Sequence, residues 1–399
     1  MTTVAEHRAA LTDLLGTVEP IDLALGDALG AVTEDDVTAP HPYPSTPQAA
    51  ADGYAIASND ALHPVSLPVA FDVDSRDRTP RVLVRGTAVR IASGAPMPRG
   101  ADAVAALADT NGGVDSVTLS RSILRGENVR RTGFDAMEGE VVVPAGRRIG
   151  PRELGLIAAL GRPRVRVRPV PRVVVVAIGS ELVDAKATTD GVPEANTHML
   201  SALVQDAGAR AYRVGSIPDD PAAIAAALED QVVRADVIIT TGGLSAGGSD
   251  ALVEVLRTIG TGELVDLALA PRSRHGIGRI AEGDTPVIAL PGHPASALIA
   301  FEAYARPALR AMAGFAEVRR VTIRAELSKE WPSTGSVTEA VPVTLDLGDD
   351  GVVRATPIGD GRGGVSLGAL AKSDGIAWVG ADVTTARAGD EVRCTVWDR

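Results

Sequence analysis

Hydrophobic and polar positions change their period several times along the chain, and each change marks a structural unit. Residues 3–15 carry leucines and alanines at helical spacing, which predicts an N-terminal amphipathic helix. The run "PHPYPSTPQ" (40–48) holds four prolines, excludes helix and central strand, and reads as a boundary or extended connector. Between residues 62 and 135 short β-type runs (Val82-Leu83-Val84, Val89-Arg90-Ile91, Val117-Thr118-Leu119) alternate with Gly, Pro and Asp turns, as in a small β-rich domain. Helical spacing returns in "PRELGLIAALG" (151–161). In "RPRVRVRPVPR" (162–172) spaced prolines and alternating Val/Arg suit an edge strand followed by a linker, with the arginines on a solvated face.

The rhythm changes after residue 172. "RVVVVAI" (172–178) is a continuous apolar run, as expected of a strand covered on both faces. The pattern then predicts helices at 196–207, 221–234 and 249–259, strands at 209–214 and 236–240, further β-type runs at 275–281 and 286–290, and one long helix over 294–312. Strands alternating with helices of this length indicate βαβ units and a parallel sheet, whose ligands sit in loops at the carboxyl ends of the strands. Residues 320–399 revert to short strands ("VTIRAEL", "GIAWVG", "EVRCTVW"), a second β domain.

Composition narrows the function classes. A chain of 399 residues is too long for one ordinary core, at roughly 150 residues per domain. Aromatics make up 3% and the net charge is −12, which argues against base-stacking platforms and against a field that attracts nucleic acid. Cys394 is the single cysteine, so no internal disulfide and no cysteine-based metal site can form. The charged first turns (Glu6, His7, Arg8, Asp13) are unlike a secretory signal, and Glu302, Arg306 and Arg310 interrupt the most apolar helix. A cytoplasmic protein that contacts no membrane is expected.

Candidate chemistry gathers in loops at strand ends. In "DVIITTGGLSAGGSD" (236–250) a buried strand runs into Gly242, Gly243, Ser245, Gly247 and Gly248 before Asp250, a turn that serves either as a plain turn or as an amide cradle for an oxyanion. It matches neither the P-loop nor the dinucleotide-binding spacing. "AIGSEL" (177–182) leaves Glu181 at another strand end, and "LPGHPASA" (290–297) turns through Pro291, Gly292 and Pro294 into a helix at Ser296. "ADGYA" (51–55) contains Asp52, "RIASGAPMPRGADAV" (90–104) contains Ser93 and Gly94, and "NVRRTGFDAMEGE" (128–140) contains Asp135. Taken singly, Asp-Gly and Ser-Gly are ordinary turn dipeptides, and a strand-end carboxylate is as often structural as functional.

Together with "NTHML" (196–200) and "PDD" (218–220), these stretches in this order resemble the MoeA family of molybdopterin molybdenumtransferases, related to the C-terminal part of gephyrin. The family pattern reads "MDGYA", "TGAP-x-P-x-GADAV", "VR-x-x-G-x-D-x-x-x-G", "TG-x-EL", "N-x-x-x-L", "DD", "GG-x-S-x-G-x-x-D" and "LPGNP-x-SA", and the resemblance covers nearly the whole chain. It implies a multidomain α/β and β fold: a central, mainly parallel MogA/MoaB-like α/β domain (171–318), an inserted β-rich domain (41–136), an elongated linker domain (1–40 plus 137–170) and a C-terminal β-barrel-like domain (319–399).

The resemblance also implies the last step of molybdenum cofactor synthesis. Adenylylated molybdopterin is hydrolysed with AMP release and molybdate is inserted, with Mg²⁺ required, at a site between the α/β domain of one subunit and the β-rich domain of the other in a homodimer. A MogA-like adenylyltransferase and apo-molybdoenzymes are the implied transient partners. Asp52, Asp135, Glu181 and Asp250 would be catalytic, with Glu181 and Asp250 on the metal. Ser93, Gly94, Asn196, Asp219, Gly242, Gly243, Ser245, Gly247, Pro291, Gly292, Pro294 and Ser296 would bind substrate. Four carboxylates would repel an anionic substrate unless a hard cation stood between them.

The chain departs from the family in "LALAPRSRHGIG" (267–278), where Ala270 and Ser273 replace two family lysines and Arg272, Arg274 and His275 stand nearby as substitutes, if the stretch is more than a basic surface loop. Ala51 and His293 replace a family methionine and asparagine. These departures leave open an alternative: a catalytically weakened homologue that carries or scaffolds molybdopterin.

Overall fold

The computed structural model describes residues 1–399 except 78, 184–190, 245–250, 281–283, 334, 360–363 and 398–399. Its centre is a six-stranded sheet in the order Arg210–Ile217, Arg172–Ile178, Val237–Gly242, Thr285–Leu290, Arg274–Ile280, Gly260–Asp266. The first four strands run parallel, as the alternation of strands and helices requires. The last two are antiparallel. The Gly260–Asp266 strand, not expected from its glycine-rich and mostly exposed sequence, exists through its ladder to residues 274–280.

Both faces of the sheet are covered, which explains the unbroken apolar run of residues 173–178. Val173 and Val175 point with Ile239 into one core, shared with Leu200, Val204, Phe301 and Tyr304. Val174 and Val176 point with Ile238 into the other, formed by Ile224, Leu228, Leu252 and Leu256. The N-terminal helix Val4–Leu15 opens with a Thr3/Glu6 capping box and packs Leu11 and Leu15 onto the first of these cores. The expected long helix is instead α-helical at Pro294–Ala300, π-helical at Phe301–Ala305, and α-helical again at Arg306–Met312. Pro307 has no amide hydrogen and its ring would clash with the carbonyl four residues back, so the preceding turn widens.

"RPRVRVRPVPR" forms the strand Arg164–Arg168, but as the middle of a three-stranded sheet between Ile21–Ala24 and Val32–Thr33, not as an edge. Pro163 and Pro169 lie just outside the strand, so no ladder amide is lost. Its arginines are not all solvated: Arg168 pairs with Glu34 at 2.6 Å and donates to the Val18 carbonyl. Val37–Thr38 pairs with Val141–Val143, and a common core joins Ala28, Ala31, Ile149, Ile157 and Val167. The inserted segment is a five-stranded sheet, Ala103–Ala106, Gly53–Ile56, Ala88–Ile91, Ser66–Val73 and Ser116–Thr118 in that order.

At the C-terminus five strands close on themselves: Thr338–Leu347, Val353–Pro357, Thr322–Leu327, Glu391–Val396 and Gly375–Val379, the last pairing back to the first. Cys394 lies inside this barrel, and burial pushes its thiol up to about 11. No helix among the described residues is long and apolar enough to cross a membrane.

Candidate functional site

A cavity of about 1280 Å³ opens at the carboxyl ends of the parallel strands. Its wall collects residues that follow four of them: Glu181, Asp219, Thr241 with Gly242 and Gly243, and Pro291 with Gly292 and His293. Gly242 has φ of 87°, and a Cβ there would lie 2.1 Å from the Ile178 carbonyl oxygen. Only glycine lets neighbouring strand ends approach this closely.

Asn196, 7% exposed at the start of its helix, is the best-fixed polar side chain in the wall. Its Nδ2 donates to the Gly292 carbonyl at 2.7 Å and to Thr241 Oγ1 at 2.9 Å. Thr241 Oγ1 in turn donates to the Pro291 carbonyl at 2.8 Å, so it can only accept from Asn196. These contacts fix the amide's orientation and leave Oδ1 buried with no partner among the described residues. Such an acceptor is costly unless a ligand N–H reaches it.

Acidic and basic groups share the remaining wall. Asp219 and Ser180 hold each other: Ser180 N–H donates to Asp219 Oδ2 at 3.2 Å, and Asp219 N–H donates to Ser180 Oγ at 3.0 Å. Glu181, Asp219 and Asp266 supply carboxylates, while Arg272 and Arg274 supply cations from the opposite segment. Among the described residues no group of three His, Cys, Asp or Glu side chains is placed to hold a metal ion. Mg²⁺ takes one or two carboxylates and completes its shell with water and substrate phosphate, so the hard oxygens of Glu181 and Asp219 fit that ion without a full protein cage.

Behind Ser273 the wall continues into the core. Ser273 Oγ lies 3.2 Å from His275 Nε2, and His275 Nδ1 lies 2.8 Å from the Tyr304 hydroxyl. His7, from the N-terminal helix, meets the Tyr304 ring edge-on at 4.5 Å. Burial pulls His7 down to about 4, and burial with the nearby His7 pulls His275 down to about 3, so both imidazoles are neutral at physiological pH. Burial raises the Tyr304 phenol above its ordinary range.

The expected residues divide into groups. Glu181, Asn196, Asp219, Gly242, Gly243, Arg272, Arg274, Pro291, Gly292 and Ser296 line this cavity together. Pro294 stands beside it in the first turn of the Ser296 helix, outside the lining. Ser245, Gly247 and Asp250 lie outside the described residues. Asp52, Ser93, Gly94 and Asp135 belong to the inserted domain and line no part of this cavity in the same chain. There Asp52 Oδ1 accepts the Ser93 N–H at 2.7 Å, and the Asp52, Ser93 and Asp135 side chains face solvent. Within one chain Asp52 and Asp135 therefore do not meet Glu181 in this cavity, and Asp52 sits on the inserted sheet, which has its own hydrophobic cores.

Sequence reasoning missed Thr241, although a threonine pair ending an apolar strand is a usable signal. It also missed Val365 and Ser366, which bring the C-terminal domain to the cavity wall. Nothing local marks them.

Family comparisons cover the chain in three pieces. The MoeA N-terminal region (domain I and II) matches residues 2–161, a probable molybdopterin binding domain matches residues 174–311, and the MoeA C-terminal region (domain IV) matches residues 324–397. The chain is similar to molybdopterin molybdenumtransferase 2 of Mycobacterium tuberculosis, 34% identical over 100% of both chains. Molybdopterin molybdenumtransferase 1 of the same organism is 36% identical over 79% of each. A molybdopterin biosynthesis MoeA protein of Pyrococcus horikoshii has a related solved structure, with TM-score 0.76 and 25% identity over 100% of both chains.

Proposed function

The chain belongs to the MoeA family, and from that premise we propose that it is a molybdopterin molybdenumtransferase that accepts adenylylated molybdopterin, releases AMP and inserts molybdate, with Mg²⁺ required. The observation that carries the reading is the cavity wall, where an oriented amide with a buried, unpartnered acceptor, strand-end carboxylates and two arginines line one space. Overall, water cleaves the phosphoanhydride so that AMP departs, and the dithiolene sulfurs replace two molybdate oxygens, which leave as two waters with the two thiol protons and two protons from solution.

In this reading Asn196 Oδ1 accepts an N–H of the pterin, and Gly242 and Gly243 let the ligand approach the strand ends. Arg272 and Arg274 hold the oxyanion by charge-assisted hydrogen bonds. Glu181 and Asp219 would hold Mg²⁺, and the charge it would supply there is of the kind that offsets negative charge on a phosphate leaving group. Asp250, proposed to hold the metal with Glu181, and Ser245 and Gly247, proposed to bind substrate, keep those roles from the family resemblance alone, since they lie outside the described residues.

Asp52, Ser93, Gly94 and Asp135 complete the proposed site from a second copy in a homodimer. The exposure of Asp52, Ser93 and Asp135 within one chain, with the exposed Phe134 and Met137 close to Asp135 in sequence, supports that role. The division into domains 1–40 plus 137–170, 41–136, 171–318 and 319–399 belongs to the same proposal and is supported by separate hydrophobic cores, except that Leu11 and Leu15 of the N-terminal helix pack into the core of the α/β sheet. So does a cytoplasmic setting, in which the buried Cys394 stays a thiol.

The test incubates purified protein with adenylylated molybdopterin, Mg²⁺ and low molybdate, and measures AMP release and activation of an apo-molybdoenzyme. Both are expected. Ala270 and Ser273, which remove two cations from the anion's surroundings, favour a second reading as a molybdopterin carrier. Tight pterin binding without AMP release would establish that reading instead.

A further inference from the structure

Three side chains link the cavity to the core in one hydrogen-bonded line, and the direction of each bond can be deduced. Tyr304 is fully buried, and its hydroxyl has the His275 imidazole as its partner, at 2.8 Å. A buried hydroxyl hydrogen without an acceptor is costly, so the phenol donates to His275 Nδ1. His275, 1% exposed, then carries its one ring hydrogen on Nε2, which donates to Ser273 Oγ at 3.2 Å. The serine's own hydrogen is therefore turned away from the imidazole. Its other neighbour is the Pro271 carbonyl at 3.3 Å, beyond the usual range of about 2.5–3.0 Å for this kind of bond. A better acceptor entering the cavity would take the hydrogen, and the bond from Nε2–H strengthens that donation.

We propose that Ser273 binds a tetrahedral oxyanion in the cavity, its hydroxyl donating to an anion oxygen while His275 and Tyr304 act as positioning residues behind it. Arg272 and Arg274, on either side in sequence, line the same cavity and supply the charge. The serine supplies direction: one neutral donor held at a set angle by a buried relay. The proposal rests on the cavity being an anion site, as in the transferase reading. Two anions share this chemistry, molybdate and the phosphate of the nucleotide or pterin, and the experiment separates them.

Calorimetric titration of the full chain with tungstate, a stand-in for molybdate, and separately with inorganic phosphate reads the contact without turnover. Ser273→Ala should weaken one of the two anions about three- to tenfold, the loss of one neutral hydrogen bond, and the weakened anion identifies the source. Ser273→Thr, which keeps the hydroxyl, should restore binding. Tyr304→Phe frees His275 to take either tautomer, so that Nε2 competes for the serine hydrogen. It should weaken the same anion in the Ser273 background and have no effect in the Ser273→Ala background.

The proposal fails if Ser273→Ala changes neither anion, if the intact protein binds neither, or if Tyr304→Phe costs the same in both backgrounds. Anion binding that depends on Ser273 without AMP release would sink the transferase reading and leave this inference standing. AMP release that ignores Ser273, with anion binding unchanged, would do the reverse.

Discussion

Asn196 Nδ2 sits 2.7 Å from the Gly292 carbonyl, tying the start of one helix to the loop before another, 96 residues later in the chain. The bond does two things at once. It joins two strand-end segments of the cavity wall, and it leaves Oδ1 buried with no partner among the described residues. Asn196→Ala should cost about 1–2 kcal/mol of stability, the loss of two hydrogen bonds to partly buried groups, and should weaken molybdopterin binding more than tenfold. Asn196→Asp should be worse than alanine, since a carboxylate oxygen would face the Gly292 carbonyl. Denaturant melts and pterin titration check both.

The transferase reading assigns chemistry to residues on two different cores, and that assignment can be tested by mixing. Glu181→Gln and Asp135→Ala should each lower AMP release at least about a hundredfold without changing the melting temperature. If each site draws Glu181 from one copy and Asp135 from the other, co-refolded mixtures of the two inactive variants should recover about a quarter of wild-type activity. An inactive mixture, with hybrid dimers shown by mass spectrometry, would rule out a shared site.

Two buried imidazoles make stability depend on pH in a definite direction. His7 and His275 have folded values near 4 and 3, below their ordinary 6.5. Between those values the unfolded chain takes up protons that the folded chain refuses. Their contribution is therefore fully present above pH 6.5 and is lost as the pH falls through 6 and 5. Each group steepens the loss by roughly 1.4 kcal/mol per pH unit within this window. Urea unfolding at pH 7.5, 6.0 and 5.0 should show the decline, and His7→Leu should remove about half the slope.

Glycine conformation can be separated from glycine space at two positions. Gly215 has φ of 89° with nothing near its absent side chain, whereas Gly242 has φ of 87° and the Ile178 carbonyl in the way. Gly215→Ala should cost about 1 kcal/mol, the strain alone. Gly242→Ala should cost at least about 3 kcal/mol and close the mouth between the strand ends, which thermal melts and pterin titration would detect.

What the amino-acid sequence determined by itself is local. Residues 172–178 had to be a strand covered on both faces, because seven consecutive residues with almost no polar side chain leave no face for water. The loops at the ends of such strands are where a parallel sheet leads one to expect ligand chemistry, and Glu181, Asn196, Asp219 and Gly242 line one cavity there. Tertiary packing decided what depends on residues far apart in the chain. It made Arg164–Arg168 a middle strand by bringing Ile21–Ala24 and Val32–Thr33 to its two edges. It placed Ser366 of the C-terminal domain on the cavity wall and kept Asp52 off it. It set the direction of the Ser273–His275–Tyr304 line, since a hydrogen bond's sense depends on which neighbours remain to each buried group. Periodicity records how each segment meets water, but it does not record which other segment it meets.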